Sequence, residues 1–303
     1  MFVIDEQLSY EHHAAELRRM GLLNEGAPDQ NYWHTKAASA FYYHIHDALS
    51  NLMVEVIALS SRMHQGPALE HLRFGAGRRL KIIWQGIRDL FAVAPPERQE
   101  PMISGDVDTA ARALNDIYIH SLGTLDNYTH ALGWHLAGEP FSALRNTKKT
   151  LLDKEFLKCC GSPSLRRTVE PYRNWIERLK SLRDPVAHRI PLTVPPAIIT
   201  DKSRAEWEAA NEAYQSALGS PPPIDGPESY LAVEEWSSRV AHLLKRLETV
   251  GEFRPWIAHD PRAEVVPIYP TVLEDVARLI LMCRSLNKLF VDGVEASAVI
   301  RTP

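Results

Sequence analysis

The apolar residues of this chain recur with the period of an α-helix along most of its length. Ala38, Phe41 and Ile45 begin a run that continues, at positions three or four apart, to Leu59. Such a run places one apolar stripe along a helix that covers about residues 32–63. The same spacing predicts further helices over residues 68–93, 107–132, 169–182, 202–218, 233–250 and 272–290.

Extended segments are scarce. Residues 192–194 and 265–268 are the two candidates, and prolines flank both of them. The sequence therefore predicts an all-α fold, an up-down bundle of long helices with proline-rich loop excursions such as the linker at 219–228. Because each apolar stripe needs a partner of comparable length, we expect residues 1–303 to form a single domain.

Composition and charge exclude several classes of protein. A formal net charge of -4 does not favour broad attraction to nucleic acid, although a local basic patch is compatible with it. No stretch approaches the roughly 18–20 uninterrupted apolar residues of a membrane span, and no signal peptide is recognisable. The three cysteines make neither a disulfide framework nor a zinc set. We expect a cytoplasmic protein with reduced thiols and without a membrane association.

The stretch 181–191 concentrates most of the chemistry in the sequence. Arg183 falls on the apolar stripe of its predicted helix, so its guanidinium must find an acceptor or reach solvent. Pro185 removes the hydrogen bond to the Ser181 carbonyl. The helix should therefore kink there, or stop at Arg183 and restart with Asp184 as its cap. Such a break could bring Arg183 and His188 into one cleft, although positions five apart on a regular helix point about 140° away from each other.

The order of Arg183, Asp184 and His188 resembles the signature of the HEPN superfamily, in which an arginine and a polar residue precede a histidine. The wider run from Arg183 to Pro191 looks like that of a group of poorly characterised bacterial HEPN-like proteins. In that group a preceding helix carries Leu-Asp-Asn, which matches residues 125–127 here. The resemblance covers about residues 105–195, which would be the HEPN-like core, with flanking helices at 30–94 and 229–291.

The resemblance implies a helical bundle that is often a homodimer and, in active members, cleaves RNA without a metal. His188 would be the general base or acid, and Arg183 would stabilise charge on the phosphate. Asp184 would orient the histidine. Two departures stand out: Pro185 is unusual within such a motif, and Ile190 occupies a position where one toxin subgroup carries a tyrosine.

A second set of polar residues lies on the long central helix. His120, Thr124 and Asn127 share one face and would form a wall opposite Arg183. Asp126 is a possible acceptor for Arg183. Together with Arg189, we predict that His120, Asp126 and Asn127 contact the substrate, an RNA or a nucleotide.

No metal or cofactor is predicted. His44 and His46 are two positions apart and project about 200° from each other on a helix, so they cannot both bind one ion without distortion. The basic cluster of Arg78, Arg79 and Lys81 is interpreted as solvated surface.

Two functions remain open at this point. The first is metal-independent RNA cleavage, or binding of RNA or a nucleotide, at Arg183 and His188. The alternative is a non-catalytic helical interaction or scaffold protein in which Arg183, Asp184 and His188 brace a helix kink.

Overall fold

The computed structural model describes residues 8–23, 34–188, 191–224, 226, 229–258 and 266–299; the side chains of 185–188 and 292–299 are outside this description. Helices make up most of this part of the chain, which confirms the all-α prediction. They are α1 (Tyr10–Arg19), α2 (Thr35–Ser60), α3 (Pro67–Leu69), α4 (Gly77–Val93), α5 (Ser104–Leu136), α6 (Glu139–Ser142), α7 (Lys154–Cys160), α8 (Pro163–Val169), α9 (Arg173–His188), α10 (Arg204–Leu218), α11 (Ser229–Leu247) and α12 (Thr271–Val299).

The predicted stripe of α2 lies in the core. Phe41, Ile45 and Leu52 are fully buried, and the helix packs against α4 and α12. The helix ends at Ser60, before Gly66, whose φ of 153° favours glycine, and Pro67 begins α3. The spacing of apolar residues thus predicted the buried face of α2 correctly and its end to within a few residues.

The helix predicted over 68–93 is divided. Between α3 and α4 the chain forms a π-helical segment, Glu70–Ala76, which packs against α5. Gly75 lies so close to α5 that a Cβ on it would overlap the amide of Asn127. Segments of this kind are frequently found at functional sites.

The central helix α5 packs against α4, the π-helical segment, α9 and α12. Ile103 precedes the first residue of α5 and makes no side-chain cap, while Ser104 donates a hydrogen bond to Glu248. Gly138 follows the C-terminal end of the helix with a φ of 61°, which a glycine adopts without strain.

Extended structure is limited to a small hairpin. Strand β1 (Trp256–Ile257) pairs with β2 (Val266–Pro267) in antiparallel fashion, and Thr193 makes a separate bridge to Ala258. Within the described residues, both predicted extended segments therefore belong to this hairpin or pair with the residue that follows its first strand. None of the described helices is long and apolar enough to cross a bilayer.

Helix α9 corrects one prediction. It runs without interruption from Arg173 to His188, so the helix does not stop at Arg183 and restart with Asp184 as a cap. Pro185 lies in the last turn, where it costs one backbone hydrogen bond and leaves the preceding turns intact. The first half of the helix is also anchored, because Ile176 and Leu179 are buried in the core.

A polar crevice between α4, α5 and α9

Arg183 lies on the apolar face of α9, as predicted, with Leu179 fully buried one turn before it. Its side chain is 30% exposed, and its Nε lies 3.3 Å from Oδ1 of Asp184. That Nε is itself buried. Its contact with Asp184 is an ion pair that lacks hydrogen-bond geometry, so the Nε has no hydrogen-bond partner in the described part of the chain. A buried guanidinium nitrogen without a hydrogen bond is costly, so a further acceptor would stabilise it.

Asp126 is the carboxylate of α5 that faces this arginine. Its residue remains exposed, yet the surrounding protein removes enough water from the carboxyl group to raise its pKa. Arg183, Arg79 and Lys180 oppose that rise in pKa through their positive charges. The structure therefore brings Asp126 and Arg183 into electrostatic contact, although it shows no hydrogen bond or ion pair between these two described side chains.

Arg79 of α4 approaches α5 from the other side. Its Nη1 donates to Nδ1 of His120 over 3.0 Å. The guanidinium lies directly over Gly123, where a Cβ would overlap it. Glycine at position 123 is therefore what allows Arg79 to lie flat against the central helix.

The bond from Arg79 also determines the protonation state of His120. A guanidinium has only donors, so Nδ1 of His120 must accept and the ring proton of the neutral imidazole is on Nε2. Partial burial lowers the pKa of His120, and the Arg79 charge lowers it further. His120 is thus a neutral imidazole whose Nε2 can donate to an anion.

Asn127 is directed toward the π-helical segment. Its Nδ2 donates to the carbonyl of Gly123 over 2.7 Å, and its Oδ1 lies 3.3 Å from Nδ1 of His71. Thr124 is fully buried and donates to the carbonyl of His120. Of the three residues predicted to form a wall opposite Arg183, His120 alone therefore contacts a charged side chain of this cluster, namely Arg79. We refer to the cluster of Arg79, His120, Asp126, Arg183 and Asp184 between α4, α5 and α9 as the crevice.

A pair of histidines continues the polar row beyond Asn127. The rings of His71 and His130 stack with their centroids 4.6 Å apart. Burial lowers the pKa of His130, with His71 and Lys149 contributing in the same direction. Among the described residues, no three His, Cys, Asp or Glu side chains come together as a metal site.

Two of the predicted site residues cannot be placed by their side chains. His188 is the last residue of α9, but its side chain lies outside the described residues, and so does all of Arg189. The pairing of Arg183 with His188 consequently stays a prediction. Asp184 is described, and it contacts Arg183.

Arg79 is the site residue that the sequence interpretation missed, because it was assigned to solvated surface with Arg78 and Lys81. Two glycines carry the signal that could have found it. Gly75 and Gly123 each lie within a predicted helix, where glycine costs about 1 kcal/mol relative to alanine. Glycine in such a position indicates a close approach by another group.

No protein-family model matches the chain, and neither a curated protein nor a solved structure matches it significantly. The HEPN resemblance therefore rests on the motif residues alone.

Proposed function

We propose that the crevice between α4, α5 and α9 binds a phosphate-bearing ligand, RNA or a nucleotide. The observation that carries this proposal is the state of Arg183, whose buried Nε has no hydrogen-bond partner among the described residues. Arg79 and Lys180 act on the same carboxylate, Asp126, as Arg183 does. Arg183 also contacts Asp184, and Lys180 pairs with Glu177. Arg79 is the cation of this group that has no ion pair among the described residues, and a phosphate would supply a partner for it.

The HEPN resemblance supports a more specific step, metal-independent RNA cleavage. His188 accepts the proton of the ribose 2′-hydroxyl, whose oxygen attacks the adjacent phosphorus. The bond to the 5′-oxygen breaks, and that oxygen takes up a proton from water as it leaves, which gives a 2′,3′-cyclic phosphate and a 5′-hydroxyl. Arg183 stabilises the charge that develops on the phosphate oxygens. Asp184 orients His188, and it also contacts Arg183. Arg189 contacts the flanking phosphate.

One observation favours the alternative function. The 3.3 Å contact between Arg183 and Asp184 is what a local brace at the end of a helix would show. In that case the chain is a helical interaction protein, and Arg183 contributes to stability and not to ligand binding.

The two functions predict different effects of the same substitutions. Labelled single-stranded RNA is incubated with wild type, Arg183→Ala and His188→Ala in the presence of EDTA. Arg173→Ala is the matched control, since Arg173 lies on the same helix and is paired with Glu170. The proposal expects cleavage by wild type and the control, and a loss of about a hundredfold or more in both site variants.

Binding of the same RNA distinguishes the remaining cases. If His188→Ala binds RNA but does not cleave it, while Arg183→Ala does neither, the catalytic form of the proposal holds. If wild type does not bind RNA or a nucleotide, or binds it no better than Arg183→Ala does, the proposal is wrong. If Arg183→Ala lowers the stability of the protein but leaves RNA binding unchanged, the alternative function, in which Arg183 braces the end of the helix, is supported.

Two further properties complete this proposal and come from the resemblance and the composition. The protein forms a homodimer with paired sites, and it is cytoplasmic. Sedimentation equilibrium of the purified chain measures the first property, and fractionation of cells that produce it measures the second.

A further inference from the structure

A cavity of about 500 Å³ lies at the end of the bundle where α2 and α5 terminate. Residues 59–68 form one side of it, and Trp134, His135, Phe290 and Val291 form the other. Its volume falls within the range of roughly 300–1,000 Å³ that is typical of small-molecule sites. None of the crevice residues lines it, so it is a separate site.

The walls of this cavity are mostly apolar. Leu59, Met63, Trp134 and Phe290 contribute aliphatic and aromatic surface, and Phe290 is 1% exposed. Water in such a space has few polar partners and is readily displaced by an apolar group. The aromatic walls also offer a large apolar surface against which a hydrocarbon ligand can pack.

The ionisable groups that line the cavity are all bases. They are Arg62, His64 and His135, and no Asp or Glu is among the lining residues whose side chains the structure describes. Burial lowers the pKa of His135, so its ring is a neutral hydrogen-bonding group that packs on Phe290 with the centroids 5.1 Å apart. Arg62 is exposed, and the structure shows no ion pair for it within the described chain. Within the described lining residues, the site thus offers one cation and no carboxylate that would compete with an anionic ligand.

We propose that this cavity binds a small apolar anion, an aromatic or medium-chain aliphatic carboxylate. The hydrocarbon part packs between Trp134 and Phe290, and the carboxylate pairs with Arg62 at the opening. The charge of Arg62 supplies the complementarity that commits the site to an anion. Because this site shares no residue with the crevice, it does not depend on the function proposed above.

Arg62 also affects the stability of the protein, and this effect must be measured separately from ligand binding. It lies just beyond the end of α2, where a cation also complements the helix dipole. A substitution there changes stability as well as binding, so thermal unfolding is measured for every variant in parallel with affinity.

The probe is anilinonaphthalene sulfonate, an aromatic anion whose fluorescence rises in apolar sites. Decanoate is the competitor, and decanol is its uncharged counterpart. We expect decanoate to displace the probe from wild type, and decanol to do so about tenfold more weakly, the equivalent of one ion pair of about 1.4 kcal/mol. In Arg62→Gln, decanoate and decanol should displace the probe with similar affinity. Arg18→Gln, at an exposed arginine of α1, should leave the difference between the two affinities unchanged.

Two further variants test the location. Ala68→Phe adds bulk to the wall of the cavity and should abolish displacement by decanoate. Trp134→Phe keeps the shape and should remove the change in tryptophan emission that decanoate produces. The proposal is wrong if decanol competes as well as decanoate in wild type. It is also wrong if both wall variants respond as wild type does, or if Arg62→Gln leaves the difference between decanoate and decanol intact.

Discussion

Nη1 of Arg79 donates a hydrogen bond to Nδ1 of His120 over 3.0 Å, and this bond joins α4 to the central helix. It holds a cation at the edge of the crevice without neutralising it, since a neutral imidazole carries no charge. It also fixes the ring proton of His120 on Nε2. An ion pair between Arg79 and a carboxylate would have positioned the guanidinium equally well but cancelled its attraction for a phosphate.

Gly123→Ala should displace Arg79 and weaken ligand binding with little loss of stability. The added Cβ would overlap the guanidinium, which is the far end of a flexible side chain and can move away. Alanine also favours the helix by about 1 kcal/mol over glycine. We expect an affinity for labelled RNA or a nucleotide that is lower by about tenfold, measured by fluorescence anisotropy.

Gly105→Ala is the matched control, because Gly105 lies in the same helix and a Cβ there meets nothing within 4 Å. It should stabilise the protein slightly and leave binding unchanged. Equal affinity in both variants would show that Arg79 does not take part in binding.

Arg79→Met should raise the pKa of His120. Burial is the larger cause of its lowered pKa and remains in the variant, but the repulsion by the Arg79 charge is lost. Titration of the histidine ring resonances by NMR measures the pKa directly. An unchanged His120 pKa in this variant would contradict the hydrogen bond that the structure shows, whereas Arg78→Met should have no effect on it.

The crevice shows where the sequence was informative and where it was not. The position of Arg183 on the apolar face of α9, and the proximity of Asp126 to Arg183, could be predicted. Both follow from helical periodicity and the order of the helices. The orientation of Asn127 could not. It depends on the π-helical segment, in which Gly75 lies against the Asn127 amide. Such a segment leaves no regular mark in the spacing of apolar residues.

Pro185 illustrates a local rule that tertiary structure overrides. Its steric effect predicts a break after Arg183, but the helix continues to His188. The earlier turns of α9 are anchored to α12, because Trp175 and Arg178 both donate hydrogen bonds to the buried carboxylate of Asp275. We attribute the continuation of the helix past Arg183 to this anchoring. A sequence contains no sign that a pair of residues about a hundred positions apart will hold a helix in place.

Asp126→Asn should stabilise the protein at neutral pH. Burial raises the pKa of Asp126 in the folded state, so the folded protein binds more protons than the unfolded chain between the unfolded pKa, about 3.9, and the folded value. Stability therefore falls as the pH rises through that interval, and above it the ionised carboxylate carries a cost that asparagine does not.

The stabilisation by Asp126→Asn should disappear below about pH 3.9, where aspartic acid is protonated in both states. Urea unfolding at several pH values measures this difference. The same variant should bind the phosphate-bearing ligand more tightly, because a negative charge beside Arg183 and Arg79 has been removed. A variant that is less stable than wild type at pH 7 would mean that the cations outweigh the burial of the carboxyl group.

Asp275→Ala should be strongly destabilising, because Asp275 is 2% exposed and accepts hydrogen bonds from three side chains. Tyr118 donates over 3.2 Å, Trp175 over 3.1 Å, and Arg178 completes an ion pair. Removing the carboxylate leaves the buried donors of Tyr118 and Trp175 unsatisfied, at a cost of about 1–3 kcal/mol for each, while Arg178, which is 38% exposed, can turn to solvent. Asp201→Ala, at an exposed residue paired with Arg204, should cost under about 1 kcal/mol. Urea unfolding measures both, and equal losses in the two variants would show that the Asp275 network does not hold α9 against α12.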